Sequence, residues 1–308
     1  MKRNSIGSPT RRTMRPVAAL VAATGLVAAA LGSAAPASAQ RAPSAYDTAV
    51  LADGPVAYWR MNNAVAPMEW DASGHGLTGI YSGQRSRAVL PNGDLAADFD
   101  GATGYLEVGD DDALSPATTG QFTLEAWMRP DTLEFPNTEK AGYVHWVGKG
   151  EVDRENEYVA RMYSLTNGED RPNRISGYAF NLYEPLGAGS YFQDPLSAGD
   201  WIHYTLVINV DATSTEYPYG YTKLYRDGVL RDQDQMEIRG NIITPENGTA
   251  PLRVGTRDFE SWFAGAIGKV AVYDYELTAE QIAAHTDAMT DPAEQERPWP
   301  WPWPCPRH

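Results

Sequence analysis

From Ala57 onward apolar and polar positions alternate over short runs, and clusters of Gly, Asp, Asn and Pro separate one run from the next. The runs read AYWRM, LAADFDG, GYLEVG, QFTLEAWMRP, YVHWVG, YVARMYSL, GYAFNLY, WIHYTLVINV, TKLYRDGVLRDQ, PLRVGT and GAIGKVAVYDY. A two-residue period places successive side chains on opposite faces of an extended strand, so the pattern predicts an all-β domain. Two packed antiparallel sheets are the natural way to bury so many one-sided strands. Between the arms of KLYRDGVL, the pair Asp227-Gly228 suits the positive φ angles of a type I′ turn and predicts a hairpin. One short helix is predicted near the C-terminal end, in LTAEQIAAHTDAM. There Thr278 and Gln281 have capping-box spacing and Ile282 supplies an apolar contact.

The first residues follow another pattern. Lys2, Arg3, Arg11, Arg12 and Arg15 precede or flank the start of an apolar stretch from Val17 to Leu31, and Ala37-Ser38-Ala39 follow. This order predicts a secretory signal peptide over 1–39, cut after Ala39. Arg11-Arg12 hints at twin-arginine export, although Thr13-Met14-Arg15-Pro16 fits that signal poorly. The apolar part is too short and too rich in Ala and Gly for a membrane anchor, so a secreted chain without membrane insertion is expected.

Charge narrows the partners further. The whole chain has 25 Lys+Arg against 40 Asp+Glu, a formal net charge of −15. Loss of the basic leader would leave about −20. Such a surface repels nucleic acid and anionic membranes and favours divalent cations. The single cysteine, Cys305, excludes an intrachain disulfide. It lies in a segment over 291–308 ending RPWPWPWPCPRH, where alternating prolines predict an extended, poorly packed tail, either a tether or an end with no role.

Several of the runs, taken in order, resemble the landmarks of LamG-like domains: AYWRMN, DASGHGLTGIY, AADFDGATGYLEV, QFTLEAWMRP, WIHYTLVIN, KLYRDGVL, LRVGT and FAGAIGKVAVYDYELTAEQIAAH. These domains belong to the concanavalin A-like lectin/glucanase superfamily, and the resemblance covers residues 46–288. It implies a two-sheet antiparallel jelly-roll sandwich that binds carbohydrate in many relatives and mediates protein contacts in others. One position departs from the resemblance. The last-strand landmark usually has an acidic pair after its isoleucine, near a structural calcium in related folds, whereas here Ile267 is followed by Gly268-Lys269.

Candidate chemistry falls in four places. In HWVGKGEVDREN, Glu151, Asp153 and Glu155 alternate as carboxylates on one face of a strand would. With Trp146, Gly150 and Val152 they resemble the motif of family-16 laminarinase-like glycosidases. That resemblance implies Glu151 as nucleophile, Asp153 as its tuner and Glu155 as acid/base. Arg154 breaks the pattern, because its position would face the core between the sheets, and the charge density of 150–158 favours a loop between two strands. Asp71, Asp110 and Asp112 place hard oxygen ligands in loops, as calcium requires. GHGLTG, residues 74–79, has dinucleotide-motif spacing but no strand before it or helix after it, and is expected to be a turn. Aromatics offer the strongest lead. Tyr183, Tyr191, Phe192, Tyr217, Tyr219 and Tyr221 lie among Gly and Pro, and Trp262 precedes the last strand, residues suited to stacking on sugar rings. Three functions are therefore expected: a non-catalytic carbohydrate-binding or adhesive module for a polysaccharide or glycan, a β-glucan hydrolase using Glu151 and Glu155, or a protein-interaction domain with no sugar ligand that contacts a cell-surface protein.

Overall fold

The computed structural model describes residues 43–152 and 154–290. The predicted leader over 1–39, Asp153, and the tail over 291–308 with Cys305 lie outside the described residues. In chain order the elements are α1 (Ala45–Ala52), β1 (Ala57–Trp59), β2 (Met68–Glu69), β3 (Gly79–Ser82), β4 (Arg85–Val89), β5 (Leu95–Asp100) and β6 (Tyr105–Val108). Then follow a 3₁₀ turn (Asp112–Leu114), β7 (Gln121–Pro130), β8 (Tyr143–Glu151), β9 (Arg154–Tyr163), β10 (Ile175–Phe180), β11 (Gly187–Phe192) and β12 (Ile202–Asn209). The last are β13 (Tyr221–Arg226), β14 (Val229–Gln235), β15 (Glu237–Ile238), β16 (Asn241–Ile242), β17 (Leu252–Val254), β18 (Ala264–Tyr273) and α2 (Ala279–Thr290).

Two antiparallel sheets stack as a jelly-roll sandwich. The first runs β14-β13-β12-β7-β18-β5-β4, with β1 also on β18, and the second runs β11-β10-β9-β8-β17-β6-β3-β2. Alternation along β7 explains how they pack. Leu124, Ala126 and Met128 face inward with Trp146, Tyr158, Met162 and Val254 of the second sheet. Trp127 points outward into a separate cluster with Tyr46 and Val50 of α1 and Ile282 and Met289 of α2. The outer face of the first sheet is thus roofed by both helices.

The predicted turn and cap both form. Asp227 and Gly228 have φ of 51° and 79°, joining β13 to β14, and Thr278 and Gln281 exchange side-chain and backbone hydrogen bonds ahead of α2. Residues 74–78 form no regular element before β3, so GHGLTG is a turn. The first helix was not expected. Ser44 and Asp47 cap α1 reciprocally, and this Ser-x-x-acid spacing was present in the sequence but stood before a run too short for a helical period. The segment 150–158 also differs from the expected loop: β8 runs through Glu151 and β9 begins at Arg154, so the two strands nearly meet. Arg154 is exposed and buries no charge.

Gly177 shows how closely the sheets approach. A Cβ there would lie 2.5 Å from Tyr204 Oη and 2.6 Å from Leu206 Cδ1, both on the first sheet. Gly177→Ala is expected to lower the unfolding free energy by about 1–3 kcal/mol through overpacking, read by denaturant titration. An unchanged midpoint would mean that the sheets separate freely at this point. Among the described residues no helix is long and apolar enough to cross a membrane.

Candidate binding face

The outer face of the second sheet can be read row by row from its register. One row crosses the whole sheet: Met68, Ile80, Glu107, Arg253, Gly148, Val159, Tyr178 and Gly189 are successive cross-strand partners. Since Gly177 faces the core, Tyr178 faces outward, and directly paired residues share its side. Arg253, on β17, is central to this row. Its Nε donates to Glu107 Oε2 and its Nη2 to Glu151 Oε1, each at 2.7 Å, and its Nη1 donates to the Arg257 carbonyl at 2.6 Å.

The last of these bonds shapes a loop over residues 256–262. Thr256 Oγ1 donates to the Ser261 carbonyl at 2.7 Å and accepts from Phe259 N at 3.1 Å. Phe259 adopts φ of 68° and leaves 41% of its surface exposed. A bulky residue at positive φ is strained, and an exposed phenyl ring gives up the burial that would offset the strain. Its ring meets Tyr105 at 5.1 Å and Trp262 at 5.7 Å between centroids, and Tyr105 meets Trp262 at 6.1 Å. The Arg253 guanidinium lies over Phe259 at 4.4 Å. Three aromatic rings therefore gather beside a fixed guanidinium and two carboxylates. This is a surface with apolar faces for stacking and planar polar groups for hydroxyls.

The predicted aromatics divide between places. Trp262 joins this cluster and Tyr191 lies on the same face, on β11, 43% exposed under the Arg174 guanidinium at 3.9 Å. Tyr183 stands in the β10–β11 turn, 68% exposed. Tyr219 and Tyr221 belong to the first sheet's side, where Tyr221 Oη donates to Glu276 Oε2 at 2.9 Å and Tyr217 packs on Tyr221 at 5.5 Å. Phe192 is buried in the core. Tyr105 and Phe259 were missed. Tyr105 has only its place in an ordinary strand run, and Phe259 stands alone in RDFES with no periodic neighbour.

Glu151 and Glu155 do not form an array on one strand. Glu151 ends β8 and Glu155 is the second residue of β9. Glu155 Oε2 accepts from Thr249 N at 2.9 Å and Thr249 Oγ1 at 2.7 Å, and these bonds hold its carboxyl below the usual range. A glycosidase acid needs the opposite shift. Asp153 lies outside the described residues.

Nor do the predicted calcium ligands converge. Asp71 accepts from Tyr58 N, Ser73 N, Ser73 Oγ and Leu77 N, at 2.6–3.1 Å. Asp110 faces Lys149 Nζ at 2.7 Å, and Asp112 accepts from Asn247 Nδ2 at 2.6 Å. Donors thus engage both oxygens of Asp71 and one oxygen each of Asp110 and Asp112.

Among the described residues one metal-like grouping exists, Glu139, His145 and Asp258. Its side chains are already paired with one another and with two arginines. Arg161 Nε donates to His145 Nε2 at 3.1 Å, which leaves the proton of a neutral ring on Nδ1, the atom facing Glu139 Oε1 at 2.7 Å. Burial and the nearby Arg257 charge push His145 down and keep it neutral, and Asp258 is held well below the carboxylate range, with His145 and Arg257 outweighing its burial. A shallow concavity lined by Ser86, Asp98, Asp100 and Asp131 belongs to the other sheet and lacks an aromatic cluster.

Comparisons with known proteins agree with this architecture. Domain 4 of AbnA, an extracellular arabinanase from Geobacillus stearothermophilus solved with arabinotriose, is similar over 75% of this chain and 98% of its own at 16% identity, with a TM-score of 0.52. The receptor-binding domain of a botulinum neurotoxin C/D mosaic serotype is similar over 76% of this chain at 13% identity, with a TM-score of 0.55. The binding domain of botulinum neurotoxin DC, solved in complex with SialylT, is similar over 78% at 13% identity, with a TM-score of 0.56. This chain spans about half the length of those toxin domains, 51% and 52%. At such identities the likeness is one of fold. No curated protein matches the sequence. Residues 100–283 match the Laminin_G_3 family, and the chain is accordingly a member of the Concanavalin A-like lectin/glucanases superfamily.

Proposed function

We propose that this protein is a secreted, non-catalytic module that binds glycan on the outer face of its second sheet, at Tyr105, Phe259 and Trp262 beside the buried Arg253. The observation that carries this reading is the strained, exposed Phe259 held between two aromatic rings and a guanidinium. Sugar rings stack their apolar faces on such rings, and Glu107, Glu151 and Arg253 provide acceptors and donors for hydroxyls. The arabinotriose complex of the arabinanase domain and the SialylT complex of the toxin domain support glycan as the ligand class. The leader-like residues 1–39 support export.

Calorimetric titration with a polysaccharide panel tests it. Trp262→Ala and Phe259→Ala are each expected to weaken binding about tenfold or more, since loss of an aromatic anchor removes stacking and buried area together. Unchanged binding in the double variant would overturn the assignment of the face. Turnover of any glycan, abolished by Glu151→Gln, would replace it with the hydrolase reading.

A further inference from the structure

A second row on the same face lies one step from the first. His145, Arg161, Ser176 and Tyr191 are successive partners across β8, β9, β10 and β11. The Arg161 guanidinium is sandwiched between the rings of Tyr143 at 4.0 Å and Tyr178 at 4.7 Å. Among the described residues no carboxylate lies within ion-pair distance of it, and its partners are His145 Nε2 and the Tyr163 phenol. Ser176, next in the row, is fully buried, and its hydroxyl has no hydrogen-bond partner. Arg174, at the same side, stacks on Tyr191 and donates from Nε and Nη2 to the neutral Gln193 Oε1 at 3.1 and 3.0 Å.

What sets Arg161 and Arg174 apart from the chain's other arginines without a carboxylate partner is that both are stacked on tyrosine rings on one face of the sheet. On or beside the second sheet Arg253 is matched by Glu107 and Glu151, Arg171 by Glu169 and Arg257 by Asp258, whereas Arg154 on β9 stands exposed to solvent. A partly desolvated guanidinium whose partners are all neutral is suited to a planar anion, which can displace a neutral acceptor such as Gln193 Oε1, and the buried Ser176 hydroxyl adds an unpaired polar group to the same row. We infer that this row is an acidic-sugar subsite, in which Arg161 and Arg174 receive the anionic group of a glycan, a carboxylate or a sulfate. The inference rests on the glycan reading of the same face. From Tyr105 on β6 to Arg161 on β9 is three strand spacings, roughly 14 Å, which a short oligosaccharide spans while one ring stacks on the aromatic cluster. The chain's overall negative charge does not exclude such a ligand, because charges beyond about 8 Å are screened at physiological salt.

The test uses the full chain and four probes: a uronate oligosaccharide, its carboxyl-reduced neutral counterpart, a sulfated oligosaccharide and its desulfated form. The wild-type protein is expected to bind at least one anionic member about tenfold more tightly than its neutral partner, with the preference shrinking as salt rises. Whichever pair shows the preference identifies the anion as carboxylate or sulfate. Arg161→Gln and, as a more exposed variant, Arg174→Gln are expected to erase the preference while leaving binding of the neutral partner intact. Equal binding of the members of both pairs by the wild type overturns the subsite but leaves the glycan reading standing. Failure to bind all four overturns both. A preference that survives both variants overturns the assignment to these arginines and leaves them as ring-stacked structural cations.

Discussion

Lys269→Ala is expected to lower the unfolding free energy by about 3–5 kcal/mol, the usual result of removing one partner from a buried ion pair. Lys269 is 1% exposed and sits at φ of 56° beside an irregularity in the β18–β7 register. Its ammonium lies 2.6 Å from Asp47 Oδ1 and 2.8 Å from Asp94 Oδ2. Burial pushes Asp94 up, but the Lys269 charge outweighs it and holds that carboxyl below its ordinary range. Without the ammonium, two buried carboxylates face each other, with Arg60 Nε at 3.3 Å from Asp47 as the remaining cation. The pair also ties α1 to the last long strand, so the roof over the first sheet loosens with it. Denaturant titration reads the loss. Adding Asp47→Asn and Asp94→Asn to Lys269→Met removes the stranded charges and is expected to restore much of it. A loss under about 1 kcal/mol for Lys269→Ala would mean that these carboxylates are solvated in the folded protein. A lysine thus stands where the family resemblance placed an acidic pair, and it supplies the positive charge from within the chain.

The second large effect is on the pH dependence of stability. Glu125, fully buried under the helices, faces His285 Nδ1 at 3.0 Å, His203 Nε2 at 3.4 Å and the Tyr273 hydroxyl at 2.8 Å, and His285 Nε2 faces Asp53 at 3.0 Å. Burial alone would raise Glu125, but His285 and then His203 lower it from 4.5 to about 2. His285 is raised above 6.5, since Glu125 and Asp53 outweigh its burial. Glu125 therefore contributes stability that is present above about pH 4.5 and lost as pH falls toward 2, on the order of 3 kcal/mol. His285 contributes stability that is full below 6.5 and lost as pH rises through its higher folded value. His145, lowered instead, acts in the reverse sense: its unfolded form takes up a proton first as pH falls below 6.5. The difference between wild type and His285→Gln isolates the network. It is expected to be largest between about pH 4.5 and 6.5 and to shrink on both sides. Parallel pH profiles for the two proteins would exclude a charged His285.

How much of this was legible beforehand can be traced through particular residues. The Asp227-Gly228 hairpin and the Thr278 cap were readable because each depends on neighbours within four positions. Phe259 was not, because its exposure follows from a loop pinned by Arg253 and Thr256. His145, His203 and His285 looked scattered, yet each reaches a buried carboxylate through strand pairing or helix docking. Glu151 and Glu155 kept the spacing of a catalytic strand, but they fall on two different strands.

The sequence by itself determined the alternation of strands, the turns between them, the acidic charge and the family, since these are properties of order and composition along the chain. Only the tertiary structure decided which aromatics share a face and which arginines lack a carboxylate. Those depend on sheet register, which joins residues more than 100 positions apart, such as Glu107 and Arg253, and no local pattern encodes that distance.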